Sequence, residues 1–330
     1  MELSDSRRGN LSHAGDRSGD TLLRTIFPGC STLPAMAIIV SVASGKGGVG
    51  KSVVASNLAL LLARHGKQVV LADLDVGGAN LHVLFGLFHP SRTLTDFLAK
   101  RVETLDAVAQ PLDAHPGLRL LPGTGETLAT ANMPFAKKKR LIRHLKDLPA
   151  DIVVVDVGAG TSYHALDFFL MGDAHLAVAT ADPTSVLDLY RFIKLAAIRR
   201  VLSAFLARDE IAEVLSDRDF ASVEEVLEAA GKTGDAGRAQ AADMLQGFRP
   251  YLILNRMSGR SRINTLQLKN LLQSYVGGDL AMLGEIPEDE AVERSVRRYL
   301  PVVDHAPLSP AAESFNRLAE ALLLELRGRA

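Results

Sequence analysis

Short runs of consecutive apolar and β-branched residues alternate along this chain with longer amphipathic stretches. The runs are AIIVSVA (37–43), QVVLAD (68–73), LRLLPG (118–123), DIVVVDVG (151–158), HLAVATA (175–181), YLILN (251–255) and LAMLGEIP (280–287). Between them lie helix-like segments such as SVVASNLALLLARHG (52–66) and KKKRLIRHLKDL (137–148). Strands that are apolar at every position are buried on both faces, and the intervening helices supply the cover. The pattern predicts an α/β fold: a mostly parallel sheet with helices on both faces. No internal repeat is visible.

Two segments depart from the alternation. Residues 1–35 are rich in Ser, Gly, Arg and Asp without sustained periodicity, and are expected to form a flexible tail; Met36 then opens the first strand. Between 185 and 247 the chain reads as helix with few strand signals, interrupted near GKTGDAG (231–237). A plain crossover between parallel strands needs far fewer residues. The expected organisation is therefore a domain from 36 to 330 carrying a helical insertion at about 196–247.

Composition narrows the class. A chain of 330 residues that is 47% hydrophobic can bury a sizeable core. The formal net charge of −1 gives no bulk attraction to nucleic acid. One cysteine, Cys30, excludes an intrachain disulfide and a multi-cysteine metal site within one chain, and fits a reducing, cytoplasmic setting. No apolar stretch reaches the roughly 18 residues of a membrane span, and the N-terminus has no secretory apolar core. The histidines show no metal spacing, and no G-x-S-x-G element points to a serine hydrolase.

The chemistry concentrates at SGKGGVGKS (44–52). Gly45, Gly50, Lys51 and Ser52 satisfy G-x-x-x-x-G-K-[ST], set between a predicted strand and a predicted helix. Glycines let backbone N–H groups turn inward around phosphate oxygens, and the helix adds its positive end. Lys51 is placed to reach the β- and γ-phosphates, and the Ser52 hydroxyl to ligate Mg²⁺. Carboxylates support the loop from neighbouring strands. Asp73 and Asp75 end the run LADLD, and Asp156 ends DIVVVD ahead of Gly158 and Gly160. A carboxylate at the C-terminal end of a parallel strand faces the ligand crevice, where it can orient water or serve a metal shell.

The fuller string KGGVGKS resembles the deviant Walker A loop of the MinD/ParA family of P-loop ATPases. LADLDVGGAN (71–80) is similar to that family's D-x-D-x-G-x-x-N signature, with Asn80 in the last place, and DIVVVDVGAG (151–160) resembles a Walker B strand entering a switch loop. The resemblance implies ATP and Mg²⁺ as ligands, with Gly45, Lys46, Gly47, Gly48, Val49, Gly50, Lys51, Ser52 and Val53 around the nucleotide. It implies that Lys46 reaches across a homodimer interface to the other subunit's nucleotide, that Asp75 positions the attacking water, that Asp73 is a metal or structural partner, and that Asp156 lies near the metal. It further implies that Asn255 and Arg256 of YLILNRM, with Pro287 of GEIPED, lie beside adenine.

DVGAGTSYHALDFF (156–169) and DPTSVLDLYRFIK (182–194) look closest to the flagellar-number regulators of FlhG/FleN type and their MinD-like relatives. Such a protein is a slowly hydrolysing dimeric switch governing the placement or number of a cellular structure through a protein partner. The tail lacks the Asp-Gln-Ala triplet usual in FlhG-type proteins. The last helix, SPAAESFNRLAEALLLELRGRA (309–330), has Phe315, Leu318, Leu322, Leu323 and Leu326 on one face and mixed charges on the other. That is poor chemistry for an anionic membrane, so the helix is expected to pack on the core. The family also offers a DNA-partitioning alternative of ParA type. Here AKKKRLIRHLK (136–146), SGRSR (258–262) and ERSVRR (293–298) are candidate surfaces for weak nonspecific DNA binding, without interleaved aromatics. A third alternative is a P-loop carrier or adaptor without a positioning role; an iron–sulfur carrier would need paired cysteines, and a tyrosine-kinase relative a tyrosine-rich tail.

Overall fold

The computed structural model describes residues 36–75, 78–123, 133–205, 220–232, 234–259, 270 and 280–328. The tail at 1–35 with Cys30, and most of SGRSR, lie outside the described residues. Eight strands form one sheet in the order β3-β4-β2-β5-β1-β6-β7-β8. They span Ile38–Ala43 (β1), Val69–Leu74 (β2), Gln110–Pro111 (β3), Leu118–Leu121 (β4), Ile152–Val157 (β5), Ala174–Thr180 (β6), Tyr251–Met257 (β7) and Ala281–Pro287 (β8). All pairings are parallel except β3 with β4. That two-residue antiparallel edge was not anticipated: it holds one proline and is too short to produce a hydrophobic period.

Alternation along each strand divides the core in two. Ile39, Val70, Ala72, Val153 and Val155 face one layer. Val40, Val42, Leu71, Ile152 and Val154 face the other. The first layer is covered by α2 (Leu94–Leu98), α3 (Phe135–Lys146), α4 (Tyr163–Leu170), α5 (Pro183–Phe205), α6 (Val223–Gly231) and α7 (Asp235–Gln246). Against the second pack α1 (Lys51–Arg64), a 3₁₀ turn at Leu81–Phe85, α8 (Glu290–Arg297), α9 (Val302–His305) and α10 (Pro310–Arg327). Within 196–247, the described residues of α5, α6 and α7 contribute Val201, Val226, Ala230 and Leu245 to the same core as the sheet.

Helix α10 shows how sequence signals turn into packing. Ser309 accepts a hydrogen bond from the Ala312 N–H at 3.2 Å, with Pro310 opening the first turn. Phe315, Leu318, Leu322 and Leu326 are then buried against the sheet and α1, with Leu323 partly buried beside them. Gly284 in β8 makes room for this, since a Cβ there would lie 2.8 Å from the Leu318 side chain. The helix is thus a structural element of the second layer. Among the described residues no helix is long and apolar enough to cross a membrane. Phe315→Ala should cost about 3–5 kcal/mol of unfolding free energy by urea denaturation, whereas Leu324→Ala, on the exposed face, should stay within about 0.5 kcal/mol.

Candidate functional site

The C-terminal ends of β1, β5 and β2 lie side by side. Their register aligns Val42 with Asp156, and Asp73 with Asp156. The helix after β1 covers one face of the sheet, while those after β5 and β6 cover the other, which opens a crevice above β1. Into it run residues 44–50. Gly48 (φ +79°) and Gly50 (φ +88°) take left-handed backbone conformations that L side chains rarely adopt.

The first bond of α1 runs from the Val54 N–H to the Gly50 carbonyl at 3.0 Å, so the N–H groups of Lys51, Ser52 and Val53 have no intrahelical acceptor. Helix α5 leans on the loop from the opposite face. A Cβ on Gly45 would fall 2.1 Å from the Asp188 carbonyl oxygen. Asn255 braces the loop from β7, donating from Nδ2 to the Val49 carbonyl at 2.8 Å while its Oδ1 accepts the Arg256 N–H at 3.0 Å. A side chain at Gly50 would strike this amide, 2.3 Å from Nδ2. Asn255, expected beside adenine, thus braces the loop with one of its two amide N–H groups. Arg256 is exposed with φ +56°, and Pro287 pairs with Met257 at the adjoining ends of β8 and β7.

The two lysines of the loop have different surroundings. Lys51 is buried, its Nζ 2.7 Å from Asp156 Oδ1. Lys46 is exposed and donates to Thr184 Oγ1, at the start of α5, over 3.1 Å. The chain beyond Asp156 is tied to the same loop, since the Gly160 N–H donates to the Ser44 carbonyl at 3.1 Å. Neither Thr184 nor Ser44 carried a sequence signal for these roles, because each depends on a contact across the fold.

The carboxylates divide their tasks. Asp73 is buried, and its two oxygens accept the N–H groups of Asp75 at 3.1 Å and Leu81 at 3.0 Å. Both oxygens thus brace its own loop. Burial first, and then the neighbouring Asp156, push its pKa up to about 7 against the pull of those N–H groups. Burial also pushes the Asp156 carboxyl up, opposed by the Lys51 ammonium and the Ser52 hydroxyl. Of these two adjacent buried acids, it is Asp156 that pairs with the lysine. The Asp75 carboxylate lies over Gly158, where an added Cβ would be 3.3 Å from Oδ1.

A glycine cradle, free N–H groups at a helix start and a buried lysine define a P-loop nucleotide-binding protein. Its paired Ser52 hydroxyl and Asp156 carboxylate are hard oxygen donors of the kind Mg²⁺ takes, so the residues fit that ion. Residues 40–302 match the family described as the CobQ/CobB/MinD/ParA nucleotide binding domain, and the chain belongs to that family. It is a MinD/ParA-family ATPase. Antiactivator FleN of Pseudomonas aeruginosa is 29% identical over 86% of this chain and 85% of its own. The flagellum site-determining protein YlxH of Helicobacter pylori is 33% identical over 47% of this chain and 52% of its own. The septum site-determining protein MinD of Pyrococcus horikoshii, solved with Mg-ADP, superposes with a TM-score of 0.61 at 25% identity, covering 87% of this chain and 96% of that one.

The raised Asp73 pKa has a signed consequence. A carboxyl whose pKa is higher folded than unfolded stabilises the fold most below pH 4, and that contribution is lost as pH rises through 7. In metal-free buffer the unfolding free energy should fall by roughly 2–4 kcal/mol between pH 4.5 and 7.5 relative to Asp73→Asn, whose denaturation midpoint should lack this slope.

Proposed function

We propose that this protein is an ATP-driven dimeric switch of MinD/FlhG type, controlling the number or placement of a cellular structure such as flagella or a division site through a protein partner. Two lysines in one loop, one buried against Asp156 and one exposed on the outer rim, carry this reading. Lys51 and the N–H groups of residues 51–53 bind the phosphates within one subunit. Lys46 is available to a second subunit laid against the same face, so the nucleotide site is completed only when two copies meet. Mg²⁺, held by Ser52 and Asp156, supplies charge neutralisation at the phosphate oxygens when bound.

Asp75, over the Gly158 backbone, accepts a hydrogen bond from the attacking water and sets its direction. Loss of the γ-phosphate removes what Lys51 holds, and the 156–160 loop, bonded to Ser44 through Gly160, relaxes with it. Arg256 and Pro287 line the side where the base lies. Turnover in such a switch is slow, because the protein acts through its two states. The placement role is supported by the printed roles of relatives: the Helicobacter protein determines a flagellum site and the Pyrococcus one a septum site.

Size-exclusion chromatography with ATP and with ADP tests this, using Asp75→Ala to hold the ATP state. ATP should give a dimer and ADP a monomer, and a monomer with ATP bound would overturn the proposal. Lys46→Ala should lose ATP-driven pairing while keeping nucleotide affinity within about tenfold, and Lys51→Ala should lose affinity by about a hundredfold or more. Equal losses in both would refute the division of labour.

A further inference from the structure

The basic stretch 136–146 is not a flat charged face once folded. Lys138 is buried and paired with Asp167. Arg140 turns the other way, its guanidinium 4.2 Å over the Phe97 ring and bonded to the carbonyls of Phe97 and Glu103. Lys139 and Lys146 instead line a cavity of about 690 Å³ together with Lys138, Arg199 and Arg200.

The cavity lies where a short helix meets two longer ones. Helix α4 has 8 residues, whereas its neighbours α3 and α5 have 12 and 23. The short helix stops early, and the gap between the longer two is floored by Leu170, Met171 and Gly172. The lining holds five cations and two carboxylates, 5 − 2 = +3, in a chain whose formal total is −1.

Both carboxylates are already engaged. Asp167 binds Lys138 and Arg199, with Arg199 Nε 2.8 Å away, and Asp173 Oδ2 accepts the Ile39 N–H at 2.8 Å. Together they leave three of the five positive charges unmatched. The side chains of Lys139 and Lys146 have no hydrogen bond or ion pair among the described residues. Arg200 is half-buried, and its contacts there are the Met244 carbonyl at 2.9 Å and the Phe248 ring at 5.8 Å. Burial holds its guanidinium below the usual arginine range, and no carboxylate offsets this. Half-buried Arg200 and Lys146, with the exposed Lys139 beside them, outnumber the carboxylates around a concave and partly apolar floor and favour an anion there.

We propose that this cavity is a second binding site, separate from the P-loop, for a small molecule carrying two or more phosphate or carboxylate groups. Its volume lies within the range of small-ligand pockets, about 300–1,000 Å³. Arg200, Lys139 and Lys146 supply the charge-assisted bonds, and Met171 with Leu170 the apolar contact. The Lys138–Asp167–Arg199 cluster fixes the wall, joining α3, α4 and α5.

The test uses the full chain with ¹³C-methyl methionine, reading the Met171 signal assigned through Met171→Leu. Pyrophosphate and citrate are titrated separately, in magnesium-free buffer at constant ionic strength, at two saturating ADP concentrations. A saturable Met171 shift with an ADP-independent midpoint supports the proposal; pyrophosphate alone marks a phosphate site, and both ligands mark a general polyanion site. The Lys139→Glu/Lys146→Glu variant should weaken binding by about tenfold or more. Lys137→Glu/Arg143→Glu makes the same charge change on α3 outside the cavity and should leave the midpoint within about twofold. No saturable shift with either anion, a midpoint that moves with ADP, or equal weakening by the two double variants would overturn it. Circular dichroism and melting of both variants establish that each is folded when measured.

Discussion

The buried ion pair between Lys51 and Asp156 is the contact around which this site is arranged. It joins the first turn of α1 to the end of β5 across 105 positions of sequence, at 2.7 Å. Removing one member of such a pair leaves an uncompensated charge in the interior, a loss of about 3–5 kcal/mol. The neighbouring geometry follows from it. With Asp156 serving the lysine, the adjacent Asp73 holds the backbone of its own loop. Asp75 is thereby set over Gly158, on the segment that also bonds to Ser44.

Helix α5 is the second organiser. Its first turns touch the glycine loop twice, through the Asp188 carbonyl packed on Gly45 and through Thr184 bonded to Lys46. Farther along, the same helix carries Arg199 and Arg200 into the wall of the basic cavity. Helix α4 likewise begins just beyond the segment that follows Asp156 and ends at the cavity floor. A rigid-body tilt of either helix is therefore felt at both places, which is the kind of physical continuity that energetic coupling requires.

Much of this was legible in the chain because its signals are local. Fully apolar strands, the loop G-x-x-x-x-G-K-S and the Ser309–Pro310 start of α10 each lie within a few residues, and the sheet, the cradle and the core-packing helix follow from them. What escaped is set by distance. No spacing rule says that Asn255 reaches back 206 positions to the Val49 carbonyl, or that Gly45 is glycine because α5 rests on it. The basic run at 136–146 was legible as charge but not as geometry. Which cations face Asp167, Phe97 or the cavity depends on helices that arrive later in the sequence. The 185–247 stretch was legible as helix, whereas its contribution to the sheet's own core depended on tertiary contacts.

The Lys51–Asp156 pair also works as a built-in competitor. Any anion drawn to Lys51 competes with a carboxylate tethered in the same fold. A lone inorganic phosphate, abundant in any cell, replaces one anionic contact with another and gains little from the exchange. A nucleoside triphosphate brings further oxygens to the N–H groups of residues 51–53 and recovers the loss several times over. The ion pair thus favours ligands that bring several oxygens to the loop over those that bring one.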